Sequence, residues 1–278
     1  MIDFHCHTTA SDGLMTPRDL IRRAKKEGIK VLSIADQDTV DGLIEVMPLA
    51  DNKICLIPAI ELSVAFPRGD FHLLGYGIDY TNQDFRFELE RLRSIREERL
   101  HRIVKRLNEV GISLALKDVE DEAQGAVPGK PHVARALVKK GHAADVASAI
   151  EDLLNEGKPG HVPKEKISAE VALRLIRNAG GTPVLAHPKS LACENLETYE
   201  RIIESYIPHG LVGIEVFATI HDDGDVEIFN DIAQRHNLIA TGGSDFHGED
   251  GERLGYYGKG RTIPINCAQS LFRFIDVK

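Results

Sequence analysis

The sequence predicts an α/β protein in which strands and helices alternate to form a (β/α) barrel, with a small helical domain inserted. Three observations predict it. Short β-like runs alternate with amphipathic helical stretches in the first 82 residues and again after position 163. Between them, about 83–163, the alternation gives way to charged helix. And the β-like runs end in His, Asp or Glu, at the strand ends where barrel folds gather their functional groups. A doubly wound open sheet is the structural alternative, but no Gly-x-Gly-x-x-Gly follows the first strand.

Ile2-Asp3-Phe4-His5-Cys6-His7 is the first strand, and its alternation turns His5 and His7 to one side and Cys6 to the other. Thr16 caps the first helix, Pro17 opens it, Leu20, Ile21 and Ala24 form its apolar stripe, and Gly28 stops it. Val31 to Ala35 is a buried-type strand and Val40 to Ala50 a helix. Ile54 to Phe66 is extended, and Phe71 to Tyr76 returns after the Pro67-Arg68-Gly69-Asp70 turn as a hairpin partner.

Asp84 to Val110 is a long charged helix carrying Arg91, Arg93, Arg96, Arg99, Arg102 and Arg106, and Gly111 ends it. Shorter helices follow at His132 to Lys140 and Asp145 to Asn155, before Gly157-Lys158-Pro159-Gly160 breaks the pattern. Alternation then resumes: helix Ser168 to Asn178, strand Thr182 to Ala186, helix Glu197 to Tyr206, strand Gly213 to Phe217, helix Val226 to His236, strand Leu238 to Thr241. Ala268 to Ile275 is the last helix. The domain reading is therefore 1–82 with 164–278 as barrel and 83–163 as inserted helical cap.

Composition narrows the function classes. Net charge is −9, with 43 acidic against 34 basic residues, which argues against sequence-independent binding of duplex nucleic acid. A small anion held locally by Arg, Lys or metal ions stays compatible with it. No run of about 18 apolar residues and no basic-then-apolar leader is present, so neither a membrane span nor a secretory signal is expected. Four scattered cysteines without a Cys-x-x-Cys pair read as reduced thiols, which gives a cytoplasmic location as the expectation.

The strand ends point to metal chemistry. Two imidazoles on one face of a strand can grip one ion, and Asp36-Gln37-Asp38, Glu61, His187 and Ser244-Asp245-Phe246-His247 end later runs in the same way. Taken singly, each has a plain alternative. Asp36 reads best as a carboxylate orienting a ligand histidine, and Glu215 as structural or supporting. His221 is a candidate for protonating a leaving group, against the competing reading of an exposed loop histidine. Arg96 and Arg99, one turn apart, with His132, Arg135 and Lys158 on neighbouring elements, form a candidate phosphate site, against simple i,i+4 ion pairing.

In order along nearly the whole chain, Asp3-Phe4-His5-Cys6-His7, Ser11-Asp12-Gly13, Asp36-Gln37-Asp38, Ile60-Glu61-Leu62-Ser63, His72-Leu73-Leu74-Gly75-Tyr76, Ala186-His187-Pro188 and Gly243-Ser244-Asp245-Phe246-His247 resemble the PHP (polymerase and histidinol phosphatase) family. The Arg-rich helix, Pro131-His132-Val133-Ala134-Arg135 and Gly157-Lys158-Pro159-Gly160 resemble its subgroup with an inserted helical cap, which includes nucleoside 3′,5′-bisphosphate phosphatases and an exonuclease acting on short RNA 5′ ends. The resemblance implies a distorted seven-stranded barrel and a metal-dependent phosphoesterase with two or three divalent ions, Mn, Zn or Fe. It implies that His5, His7 and Asp245 hold one ion, His72 and His187 a second with Glu61 bridging, and Asp12, position 37 and His247 a third. The family motif has His at position 37, and Gln37 is a neutral, weaker ligand that undercuts the third site.

The expected reaction is hydrolysis of a phosphomonoester by a metal-activated hydroxide beside Glu61. The expected substrate is a small phosphorylated nucleotide, a nucleoside 3′,5′-bisphosphate giving the 5′-monophosphate, or a short oligonucleotide. A 5′-to-3′ exoribonuclease, a histidinol-phosphate phosphatase and a metal-dependent amide or lactone hydrolase are the alternatives. A non-catalytic metal-holding module is a further one from another class.

Overall fold

Seven strands form one sheet in sequence order, β1-β2-β3-β4-β5-β6-β7. The structure, a computed structural model, describes residues 1–123, 128–163 and 165–275. Residues 124–127 of the expected insertion, and 164 and 276–278 of the expected barrel, lie outside the described residues. The strands are β1 (Ile2–Cys6), β2 (Val31–Ile34), β3 (Cys55–Val64), β4 (Phe71–Tyr76), β5 (Thr182–Leu185), β6 (Gly213–Ala218) and β7 (Ile239–Gly243). Past β7 the chain meets β1 again: His7 N donates to Phe246 O at 2.8 Å, and Cys6 bridges Phe246 in parallel sense. The sheet is thus nearly closed into a barrel.

Alternation along the strands sorts the apolar side chains into two layers. Leu32, Ile34, Leu56, Ile60, Leu62, Leu73, Leu185, Ile214 and Val216 pack in one cluster with the surrounding helices. Phe4, Ala35, Ile57, Ala59, Leu74, Tyr76, Val184 and Ala186 pack in the other, together with Cys267, Leu271 and Ile275 from the C-terminal segment. Glu61 and Glu215 have the strand parity of this second, inner layer. Glu61 comes in the second half of β3 and Glu215 in the middle of β6.

Pairing β1-β2-β3 and β5-β6-β7 is parallel, whereas β4 is antiparallel to both β3 and β5. The expected hairpin is present, so the barrel is not uniformly parallel. The reversal matters for function. His72 pairs with Ser63, which brings the start of β4 to the end of the barrel where β1, β2 and β3 finish.

Helices α1 (Pro17–Glu27), α2 (Asp41–Val46), α7 (Ala169–Asn178), α8 (Leu196–Tyr206) and α9 (Asp223–Arg235) lie between strands, and α10 (Asn266–Leu271) follows β7. Thr16 accepts from Asp19 N, and Gly28, at φ 78°, ends α1 in the left-handed region as its sequence requires. The expected helix 40–50 is shorter, because Pro48 removes a backbone donor and the chain tightens into a 3₁₀ turn at Met47–Leu49.

The 83–163 stretch contains α3 (Gln83–Glu109), α4 (Leu116–Ala123), α5 (Lys130–Lys139) and α6 (Val146–Ala149), the last running into a π turn over Ile150–Leu154. Sequence reading missed α4, whose eight residues bury only Val119 and Ala123. Helix α3 joins two cores. Phe85, Leu89 and Leu92 pack with the barrel layer, whereas Leu100, Ile103, Val104 and Leu107 pack with Leu114, Val133, Leu137 and Leu154.

His132 belongs to this helical core. It is buried at the first turn of α5, and Gly129 N donates to its Nδ1 at 2.9 Å. Burial, then the neighbouring Arg135, lowers its pKa to about 4, so the folded imidazole is neutral. The unfolded chain binds that proton near the ordinary value of about 6.5, so stability is lost as pH falls from there towards 4. We expect a contribution on the order of 3 kcal/mol. His132→Gln keeps an acceptor for Gly129 N without titrating. Its unfolding free energy should vary less with pH over this window than wild type; parallel denaturant curves at pH 6.5 and 4.5 would refute the assignment by showing equal losses.

Candidate metal centre

Each strand end delivers its side chains through a specific local device. In β1 the register to β2 slips by one residue between Asp3 and Cys6. This bulge leaves Phe4 in the inner layer and Cys6 in the outer one, with His5 and His7 fully buried. Asp3, completely buried, accepts from His5 N, from Ser244 N and Oγ, and from Gly255 N, tying β1 to the loop that carries Asp245. Asp245 has φ 53° and His187 φ 22°, both in the positive-φ region that non-glycine residues seldom enter. Close packing against glycine completes the arrangement: a Cβ at Gly243 would lie 2.1 Å from His5 Cβ and 2.9 Å from Glu215 Oε1.

The side chains converge on Glu61. Its Oε1 is 3.0 Å from His72 Nδ1, 3.1 Å from His187 Nε2 and 3.4 Å from His5 Nε2, and its Oε2 is 3.6 Å from His7 Nε2. Asp245 Oδ1 is 3.1 Å from His7 Nε2 and 3.5 Å from His5 Nε2. Asp12 Oδ1 is 3.6 Å from both His7 Nδ1 and His247 Nε2, and the His7 and His247 rings stack at 4.2 Å. Three groups therefore form: His5, His7 and Asp245; His5, Glu61 and His187; and His7, Asp12 and His247, each with ligand atoms within 4.8 Å of one another.

These groups fit a divalent cation. For the groups around Glu61 and Asp245, His5 Nε2 and His7 Nε2 are buried without a hydrogen-bond partner, although both carboxylates stand close by. Buried polar atoms that crowd together without hydrogen-bond geometry are costly unless a shared cation satisfies them. The imidazole-carboxylate donor set suits Mn²⁺, Fe²⁺ or Zn²⁺. Second contacts aim the rings: Glu215 Oε1 is 3.0 Å from His5 Nδ1, and Ser190 Oγ is 2.9 Å from His187 Nδ1, leaving both Nε2 atoms towards Glu61. Glu215 also accepts from His187 N at 2.7 Å, so one buried carboxylate holds two strand ends.

Electrostatics agree. Burial disfavours charge on His7, yet Asp245, Asp12 and Glu61 hold its pKa up at about 9. His5 is likewise raised, with Glu215, Asp245 and Glu61 outweighing burial. Despite burial, the surrounding imidazoles keep Glu61 and Asp245 well below the carboxylate range. Without metal, protons supply the cationic charge that the cluster demands.

Several expected roles come out differently. Asp36 does not touch a histidine: it accepts from Thr8 N, Thr8 Oγ1 and Ser11 Oγ at 2.7–2.8 Å, and so fixes the loop leading to Asp12. His221 is not exposed; it is 1% accessible, with Nδ1 2.8 Å from Val216 O, and burial lowers its pKa. Cys6 is buried and its thiol pushed up, as a core residue's should be.

Beside the ligand groups lies a cleft of about 720 Å³, whose lining includes Asp12, Gln37 and His72 and the cationic Arg96, Arg99, Lys130 and Lys166, with His161. Of the expected cationic group only Arg96 and Arg99 are in this wall. Arg96 is paired with Asp38, and Arg99 Nε donates to Val162 O at 2.8 Å. His132 and Arg135 belong to α5 outside it, and Lys158 Nζ lies 3.9 Å from Asp152. Sequence reading missed Lys130, His161 and Lys166. The only signal for Lys130 was its place immediately before Pro131-His132, at a helix start facing the arginines.

A PHP domain model matches residues 3–207. The chain belongs to the PHP domain family. It is 34% identical over 266 residues to a 3′,5′-nucleoside bisphosphate phosphatase of Chromobacterium violaceum, covering 92% of this chain and 90% of that one. It is 32% identical over 248 residues to the 5′-3′ exoribonuclease Rnm of Escherichia coli K12, covering 88% and 84%. A Bifidobacterium adolescentis structure described as a metal-dependent phosphoesterase superposes with a TM-score of 0.86 at 28% identity, covering 99% and 96%. This PHP protein is a metal-dependent phosphoesterase. Among its described residues no helix is long and apolar enough to cross a membrane.

Because neighbouring carboxylates favour the protonated imidazoles of His5 and His7 in the metal-free protein, ion binding should displace protons. Calorimetric titration with Mn²⁺ at pH 7, in buffers of different ionisation enthalpy, should show about one proton or more released per ion; a buffer-independent heat would contradict this. Gly243→Ala should displace His5 and Glu215, losing bound metal and roughly 100-fold or more in kcat/KM while circular dichroism stays near wild type. Full metal content and full activity in that variant would show that the contact tolerates a methyl group.

Proposed function

We propose that this PHP enzyme hydrolyses a phosphomonoester of a nucleotide bearing two anionic groups, most simply a nucleoside 3′,5′-bisphosphate, releasing the 5′-monophosphate and phosphate. The observation that carries the reading is the cleft, whose lining joins ligand-type Asp12 and His72 with Arg99, Lys130 and Lys166. Burial lowers the pKa of Arg99, helped by Arg96 and Arg102, and that of Lys130, helped by Arg99. Such mutual repulsion marks a cationic patch suited to a phosphate.

In this reading His5, His7 and Asp245 hold one divalent ion, His72 and His187 a second, and Glu61 lies between them. Bound ions supply Lewis acidity towards phosphoryl oxygens and water. Glu215 and Ser190 keep the imidazoles aimed, and Asp36 steadies the Asp12 loop. Arg99, Lys130 and Lys166 take the second anionic group, and residues 83–163 act as a cap that carries the first two of these. This reading gives His221, buried with Nδ1 against Val216 O, no role in the reaction.

The C. violaceum phosphatase favours this substrate class. The E. coli exoribonuclease favours a second reading, in which the same patch tracks the backbone of a short RNA. Phosphate release from nucleoside 3′,5′-bisphosphates, 5′-phosphorylated oligoribonucleotides and an aryl phosphate separates the two. Arg99→Ala and Lys166→Ala should each raise KM for the bisphosphate about 10-fold or more, with little change for the aryl phosphate. Equal effects on both substrates would remove the cationic patch from recognition.

A further inference from the structure

The His7, Asp12 and His247 group shares a residue with the His5, His7 and Asp245 group, and the sharing has a chemical consequence. His7 Nε2 faces Asp245 and Glu61 at 3.1 and 3.6 Å, whereas Nδ1 faces Asp12 at 3.6 Å. A neutral imidazole that binds an ion through Nε2 carries its proton on Nδ1. Serving both groups would require the doubly deprotonated imidazolate. With Nε2 committed to the Asp245 and Glu61 side, the Nδ1 proton faces Asp12 at 3.6 Å, just beyond hydrogen-bond distance, and Asp12 becomes the carboxylate that favours this tautomer and orientation of a ligand histidine.

What is left of the third group is one carboxylate and His247, the more exposed side chains of the set. Residue 37 does not complete it. The Gln37 carboxamide oxygen lies 3.5 Å from Arg96 Nη2, and the Gln37 carbonyl oxygen 3.5 Å from Arg96 Nη1. That guanidinium is anchored by Asp38, lies 3.5 Å from Ser63 Oγ and lines the same cleft as Asp12 and Gln37. A fixed positive charge thus lines the same cleft as Asp12 and acts on its carboxylate, and the Gln37 side-chain oxygen is turned to that charge.

Building on the two-ion reading above, we propose that Asp12 is a positioning residue for His7, and that Arg96 with Gln37 keeps the Asp12 and His247 corner free of a resident ion. The resting enzyme then holds two tightly bound divalent ions per chain.

The test is ion stoichiometry on protein loaded with Mn²⁺ and desalted, read by elemental analysis, with phosphate release measured on the same preparation. Wild type should retain two ions; three retained ions would overturn the proposal while leaving the phosphatase reading intact. Gln37→His should raise the count towards three, and a count that stays at two would remove residue 37 as the cause. Asp12→Asn should still retain two ions but bind the weaker of them roughly 10- to 100-fold less tightly, because a neutral acceptor makes His7 a poorer ligand. Loss of an ion from a three-ion wild type, with the other affinities unchanged, would make Asp12 a ligand instead. A two-ion protein that releases no phosphate from any nucleotide would count against the proposed function and not against the site assignment.

Discussion

The rest of this molecule is arranged around the burial of Glu61. A carboxylate that is 2% accessible at the mouth of a barrel is tolerable only if polar or charged partners replace the water it has lost. Here the partners are the imidazoles of His5, His72 and His187, all within 3.4 Å of one of its oxygens, with His7 at 3.6 Å from the other. Four elements far apart in sequence must end at one point for that cluster to exist. Two of them, β1 and the end of β5, depart from regular geometry close to that point.

Those departures have a common sense. The bulge in β1 turns the His5 and His7 pair, positive φ at His187 and Asp245 bends the chain sharply after β5 and β7, and β4 runs backwards so that its first residues reach the mouth. Regular parallel strands would deliver fewer side chains to a single point. The cost in local strain is offset by buried hydrogen bonds that Asp3, Asp36 and Glu215 accept. These three carboxylates are not in the ligand groups, yet they hold the loops and rings that are.

The cleft is built on a different principle. Its lining gathers Arg99 and Lys130 from the helical segment and Lys166 from the return to the barrel, so it exists only where those parts meet. An acidic protein of net charge −9 concentrates positive charge there at a cost to the pKa values of Arg99 and Lys130. Local charge of this kind draws an anionic ligand to one place without making the whole surface attractive to polyanions.

Much of this was legible in the sequence. Period-2 and period-3.6 patterns located all seven strands of the main sheet and the helices with strong apolar stripes, and the order of His-x-His, Glu61, His72, His187 and Asp245-Phe246-His247 pointed to one metal-type site, because local pattern and residue chemistry are both encoded locally. Helix α4 escaped, since its two buried side chains make too weak a stripe to read. Tertiary structure alone decided the rest. Asp36 serves the Asp12 loop and not a histidine, His221 is buried against its own strand, and Lys130, His161 and Lys166, not His132, Arg135 or Lys158, share the cleft wall with Arg96 and Arg99. Hydrogen-bond partners and cleft walls depend on which segments the closed barrel brings together, and no spacing along a single chain carries that information.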